Sequence, residues 1–223
     1  ELHSQFQTVK YLTSRRFLSK LLLFGEYTII DNGYALSIPF ERFFGKWAVS
    51  TQKSELLPFF EYLMTLEDYN RDKLAEAIKN HWIFKSNIPQ GYGLGSSGAL
   101  SAAAYDAFAI DPSGHQSDHI IKLSEIESFF HGSSSGLDPL TSFYNKSVVV
   151  YDSNIQLVSK LALNTDFFIL DSSISRDAKT LIHSFKEKKA NSASFQSALI
   201  ELNLQNKQAI DAMLCANTEG VKR

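Results

Sequence analysis

Apolar residues fall into short blocks whose spacing switches between strand-like and helix-like stretches. Residues 20–24 predict a strand, Gly25 breaks it, and 27–30 predict a second. Asp31-Asn32-Gly33 then turns the chain and 34–38 return; an Asn-Gly step between apolar runs is a strong hairpin signal. Residues 47–51 and 82–85 predict further strands. Residues 56–80 repeat apolar positions at helical spacing, with a break near Leu66 and Asp68. A glycine- and serine-rich turn, 89–98, runs into the alanine-rich stretch 99–110, which predicts a buried helix. Residues 117–130 predict another helix, and 131–139 a second glycine- and serine-rich loop. Strands at 148–151 and 167–170 and helices at 178–188 and 193–214 complete the pattern. Strands and helices mix without regular βαβ alternation, so the fold class is α+β.

Composition narrows the function classes. The chain has 223 residues, 44% of them apolar, enough for one large domain or one domain and part of another. Its 22 basic and 24 acidic side chains leave a formal net charge of −2, which gives no electrostatic case for nucleic acid or an anionic membrane. No run of about 18 apolar residues predicts a transmembrane helix. Cys215 is the single cysteine, so neither an internal disulfide nor a multi-cysteine zinc site is available, and a reducing, cytoplasmic setting is expected.

Candidate chemistry gathers in three places. Gly93-Leu94-Gly95-Ser96-Ser97-Gly98 formally matches the dinucleotide fingerprint, but no second strand ending in an acid follows at the required distance. The Gly-Lys-Ser/Thr of a P-loop is also absent. The loop still suits an anion. Its small residues let backbone N–H groups approach oxygens, and the helix beginning near Ser97 aims its positive end at the same spot. The plainer reading is a capped turn with glycines for tight packing.

In the second loop, Glu127 near a helix end is followed eleven residues later by Asp138. Two carboxylates joined by a glycine-rich loop can meet in one pocket, one holding a divalent cation and the other acting as a base. Taken singly, Glu127 also reads as a solvated or capping residue of Ser124, and Asp138 as a turn residue before Pro139. Gly132-Ser133-Ser134-Ser135-Gly136 matches a hydrolase nucleophile elbow in letters only, since a helix rather than a strand precedes it. His115 and His119 stand four apart, but no zincin-type glutamate follows His115. At the N-terminal strand, Glu26 interrupts an apolar run and predicts a partner, with Lys20 the simplest.

Taken together, these segments resemble the GHMP kinase family, which includes galactokinase, homoserine kinase, mevalonate kinase and phosphomevalonate kinase. The first family motif looks like Lys20-Leu21-Leu22-Leu23-Phe24-Gly25-Glu26-Tyr27 with Gly33-Tyr34-Ala35-Leu36 behind it. The second runs from Pro89 through Gly91, Gly93, Leu94, Gly95 and Ser96 to Ser97, with Gly98 extending it. Glu127, His131-Gly132 and Ser135-Gly136-Leu137-Asp138 resemble the mevalonate kinase form of the catalytic loop.

The resemblance implies two α+β lobes with the nucleotide at their junction, a ribosomal S5-like N-terminal lobe over 1–155 and the start of a ferredoxin-like helical lobe over 156–223. It implies an ATP- and Mg²⁺-dependent transfer to a small-molecule alcohol, most simply a mevalonate-like one, with phosphomevalonate, a sugar, or a catalytically silent ligand-binding role as the alternatives. Asp138 would orient the acceptor hydroxyl or take its proton, and Lys20 would lie beside it, lower its pKa and steady the transferring phosphoryl group. Glu127 and Ser97 would hold Mg²⁺. Pro89, Gly91, Gly93, Leu94, Gly95, Ser96, Ser97 and Gly98 would form the ATP cradle, and Glu26, Tyr27, His131 and Ser135 would face the acceptor. Nucleic-acid and membrane partners are not implied, and a homodimer is allowed. Ser19 replaces a usual glycine, Tyr27 a frequent histidine, and Gly98 a usual alanine. A phosphorylated acceptor would need extra cations, for which Lys10, Arg15 and Arg16 are candidates. The third family motif, a glycine-rich loop beyond the last helical stretch, has no counterpart here, so the expectation is either an incomplete second lobe or a divergent short form.

Overall fold

One long strand organises the sheet. In the computed structural model, which describes residues 10–151, 154–158, 161, 169–171, 173, 174 and 178–215, β3 (Ala35–Val49) pairs antiparallel with four neighbours. Its first half lies between β2 (Phe17–Phe24) and β5 (Ser147–Tyr151), with Leu36 opposite both Phe24 and Val149. Its second half pairs with β1 (Lys10–Tyr11) and β4 (Trp82–Ser86), with Val49 opposite Lys10 and Trp82. β6 (Asn154–Val158), which the pattern does not predict, adds to β5. Of the predicted strand at 167–170, residues 167 and 168 lie outside the described residues, and Ile169 and Leu170 are not in a strand.

Alternation of side chains along the strands builds two apolar layers. Phe17, Ala35, Trp47, Val148 and Val150 join the larger core with α1 (Leu57–Thr65), α2 (Arg71–Lys79), α3 (Ser96–Phe108), α4 (Gln116–His131) and α5 (Leu137–Tyr144). Trp47 is its centrepiece, ringed by Phe60, Trp82, Phe84 and Phe108, and its indole N–H donates to the Ala103 carbonyl at 3.0 Å. On the other face Leu36 and Val149 pack with Ile210 and Met213 of α7 (Ala193–Leu214). α6 (Ala178–Asn191) lies against the 25–34 connection, where Phe185 stacks on Tyr27 at 5.2 Å.

Two local expectations fail for physical reasons. Residues 27–30 do not form a strand: Thr28–Asp31 is a 3-10 turn. Gly25, at φ +106°, turns the chain out of β2 where any Cβ would meet the Ala35 backbone at 2.7 Å, and the Ile29 amide then bonds back to the Gly25 carbonyl at 3.0 Å. Asn32, at φ 56°, closes that turn as its C-cap, so the hairpin of β2 and β3 closes over the whole 25–34 connection rather than a two-residue Asn-Gly turn. Likewise the second loop stops at Gly136. Asp138 and Pro139 already belong to α5, whose first turn tolerates a proline because its missing N–H has no helical partner there. The predicted break in 56–80 falls between α1 and α2, where the Asn70 side chain caps α2 by accepting from the Lys73 amide at 2.9 Å.

Candidate active site

A cleft of about 1710 Å³ opens where the glycine-rich loop, the second loop, the 25–34 connection and α6 meet. Lys20 enters it from β2 and is 3% exposed, which for a lysine demands a partner. That partner is Asp138, with Nζ 2.9 Å from Oδ1. The expected pairing with Glu26 is not made. Because Gly25 redirects the chain, Glu26 lies exposed at the cleft rather than buried under the strand.

The glycine-rich loop is held against β2 by the Lys20 amide, which donates to the Leu94 carbonyl at 3.0 Å. Gly95 is the N-cap of α3 at φ 74°, and a Cβ there would stand 2.8 Å from Lys20 Cγ. No side chain caps α3, so the first amides of the helix and its positive end face the cleft beside the Ser96 and Ser97 hydroxyls. An anion fits this arrangement better than a plain capped turn does. Pro89, Gly91, Gly93, Leu94, Gly95, Ser96 and Ser97 all line the cleft. Gly98 does not line it. It sits beneath the site, where a Cβ would be 2.9 Å from the Asp138 carbonyl carbon and from Pro139 N. The first turns of α3 and α5 therefore touch, and that contact sets where Asp138 stands.

Glu127 is 4% exposed on α4. Ser97 Oγ lies 3.2 Å from its Oε1, and the Ser134 hydroxyl donates to its Oε2. Burial, and then the neighbouring Asp138 charge, push its carboxyl up to about 7, against the pull of the Ser134 hydroxyl and Lys20. A divalent cation would relieve that penalty, so the donor set fits one. Among the described residues no cluster of three or more His, Cys, Asp or Glu side chains could hold a metal alone. Magnesium commonly takes one or two protein oxygens and completes its shell with water and phosphate, and Ser97 and Glu127 are a donor set of that size. His131 Nε2 stands 2.9 Å from Ser97 Oγ, and Ser135 Oγ accepts from the Leu137 amide at 3.3 Å at the start of α5. His131, Ser135, Glu26 and Tyr27 all line the cleft.

Several contributors have no signal in the sequence pattern. Ser134 staples the second loop: besides its bond to Glu127, its carbonyl accepts from the Ser124 hydroxyl at 2.7 Å and its Oγ from the Gly136 amide at 2.9 Å. The segment 50–56 and Leu181, Ile182 and Lys186 of α6 also line the cleft. Arg15 and Arg16 do not. Arg15 pairs with Asp106 and donates to the Phe143 carbonyl at 2.6 Å, and the Arg16 guanidinium lies over the Phe44 ring, 5.1 Å from its centroid. His119 is buried with Nδ1 2.6 Å from the Tyr144 hydroxyl, a core histidine rather than half of a pair with His115.

No described helix is long and apolar enough to cross a membrane. No curated protein matches the chain. The family model described as GHMP kinases N terminal domain matches residues 62–146. Among solved structures, mevalonate kinase from methicillin-resistant Staphylococcus aureus is similar with a TM-score of 0.57 at 19% identity, over 96% of this chain and 72% of that one. A Listeria innocua protein gives a TM-score of 0.64 at 15% identity, over 92% and 74%. Lactococcus lactis galactokinase, complexed with galactose, gives 0.51 at 14% identity, over 96% and 75%. At these identities the structures establish the shared fold. With the match to the N-terminal domain model over the glycine-rich loop, α3 and the carboxylate-bearing segment, residues 62–146 are identified as a GHMP kinase N-terminal domain, within a chain that shares the fold of these kinases.

Proposed function

We propose that the cleft binds ATP with Mg²⁺ and transfers the γ-phosphoryl group to the hydroxyl of a small-molecule alcohol, with a mevalonate-like acceptor first in line. The observation that carries this reading is the pair of Lys20 Nζ and Asp138 Oδ1, 2.9 Å apart, beside the uncapped start of α3. Asp138 orients the acceptor hydroxyl and takes up its proton as the new P–O bond forms and the bond to the ADP oxygen breaks. Lys20 steadies the charge on the group in transit. The amides at the start of α3 hold phosphate oxygens. Ser97 and Glu127 are the residues that would hold Mg²⁺, whose charge neutralises the phosphates. Positioning and charge stabilisation suffice for this reaction, since phosphoryl transfer requires little covalent chemistry from the protein. On this reading residues 1–155 supply the phosphoryl machinery, 156–223 begin the second lobe, and the enzyme works in the cytoplasm, where ATP is available.

A phosphomevalonate acceptor would not draw its extra cations from Arg15 and Arg16, which are engaged elsewhere, but from the lysines that line the cleft, Lys53, Lys85 and Lys186. A silent binder has no need of Lys20, Ser97, Glu127 and Asp138 together. The test is a coupled ADP-release assay with Mg-ATP against mevalonate, phosphomevalonate, galactose and homoserine, with Asp138→Asn run alongside. Turnover with one acceptor, reduced about 10²- to 10⁴-fold in the variant, is expected. ATP binding without turnover on any acceptor would sink the kinase reading in favour of a binding role.

A further inference from the structure

We infer that His131 is the positioning residue of the metal side of this site: it accepts the hydrogen bond of the Ser97 hydroxyl, which leaves Ser97 Oγ and Glu127 Oε1 free to turn lone pairs toward one divalent cation. The inference rests on the ATP and Mg²⁺ reading of the cleft. It moves His131 from the acceptor, where the family resemblance puts it, to the phosphate side.

The Ser97 hydroxyl carries one proton and has two acceptors in reach, Glu127 Oε1 at 3.2 Å and His131 Nε2 at 2.9 Å. A proton directed at Oε1 lies between the two oxygens that a shared cation would need. The cation and that proton would repel, and one Oε1 lone pair would be occupied. Directing the proton to Nε2 removes both obstacles. Glu127 Oε2 already receives the Ser134 hydroxyl, so Oε1 is the oxygen with room for a cation. Glu127 and His131 stand four residues apart on α4, so they share one helix face, and both reach Ser97 in the first turn of α3. For Nε2 to accept, the ring hydrogen must sit on Nδ1. This is the outer-partner arrangement that fixes a metal ligand's orientation, and its loss commonly lowers metal affinity about 10- to 100-fold.

The test measures Mn²⁺ binding by electron paramagnetic resonance in the presence of a non-hydrolysable ATP analogue, on the wild type, His131→Phe and His131→Gln. Binding of the same analogue in EDTA is measured in parallel. His131→Phe keeps a ring but no acceptor and is expected to weaken Mn²⁺ about tenfold or more. His131→Gln places an amide oxygen near the position of Nε2 and is expected to retain most of the affinity. Analogue binding without metal is expected to be equal in all three. Wild-type Mn²⁺ affinity in His131→Phe, equal losses in both variants, or a parallel loss of metal-free nucleotide binding would each overturn the inference. A wild type with no nucleotide-dependent Mn²⁺ site would instead overturn the kinase reading and this inference with it.

Discussion

Glu127 shows how a single residue can oppose the stability of its own fold. Its carboxyl rises to about 7 through burial and the Asp138 charge, from an ordinary value of 4.5. Below the ordinary value both the folded and unfolded chains hold the proton, and the residue costs nothing. As pH rises toward 7 the unfolded chain gives up the proton first, so folding is progressively penalised. Above about 7 the full penalty applies, on the order of 3 kcal/mol. Unfolding free energies of the wild type and Glu127→Gln, measured in EDTA at pH 5 and pH 8, are therefore expected to diverge. The wild type loses more stability over that range, by up to that amount, and equal losses would refute the buried-charge account. At this scale the sequence singled out Lys20, Ser97, Glu127 and Asp138 as candidates, their roles following only from the family resemblance, and the structure brings all four to one cleft. The Lys20 partner was not legible without that resemblance. Glu26 is nearer in sequence, and only the left-handed turn at Gly25 takes it out of competition with Asp138.

At the level of elements, α3 and α5 act as one device, since their first turns meet at Gly98 and Asp138. The expected site residue Gly98 serves the site from below, by permitting this approach. An alanine side chain would press on the Asp138 and Pro139 backbone at 2.9 Å, and backbone atoms at the start of a helix cannot step aside as a flexible side chain would. Gly98→Ala is expected to cost about 1–3 kcal/mol of stability through overpacking. It is also expected to lower kcat about tenfold by displacing Asp138, while KM for ATP stays nearly unchanged. Steady-state kinetics beside thermal unfolding separate the two effects; an unchanged kcat would show that α5 accommodates the methyl without moving Asp138. Helices α1 to α4 could be read from periodicity and composition, but of the central strand β3 only the two ends were, as separate strands at 34–38 and 47–51. α5 could not be read, because Asp-Pro after a glycine-rich run carries the signature of a turn as much as of a first helical turn. The 3-10 turn was hidden in the same way: Tyr27, Ile29 and Ile30 look like strand residues, yet Tyr27 adopts φ 68° and its ring is taken up by Phe185 from far along the chain.

For the molecule as a whole, the C-terminal helices complete the cleft rather than merely follow it. α7 fixes the 25–34 connection from one side: Asn203 Oδ1 accepts from the Tyr34 amide at 2.8 Å, and Asn206 Nδ2 donates to Thr28 Oγ1 at 3.0 Å. α6 holds the same connection through the Phe185–Tyr27 stack and the ion pair of Lys189 with Asp31. Lys186, next to Phe185, thereby lines the cleft with Leu181 and Ile182, near Tyr27 and Ile30. Four lysines line the cleft, Lys20, Lys53, Lys85 and Lys186; Lys20 is committed to Asp138, whereas Lys186, the one on α6, makes no ion pair among the described residues. An acceptor lying against this wall meets apolar side chains along its body and one cation, a setting that suits a carboxylate or phosphate on the acceptor better than a wholly neutral sugar. A charge-assisted contact of this kind is worth about 1.5–3 kcal/mol. Lys186→Met is therefore expected to raise KM for an anionic acceptor about tenfold or more, leaving kcat and KM for ATP nearly as they were, and to leave KM for any neutral alcohol unchanged. If KM for mevalonate or phosphomevalonate stayed at the wild-type value in a protein that turns it over, α6 would be a structural wall of the cleft and the acceptor's charge would be met by another group.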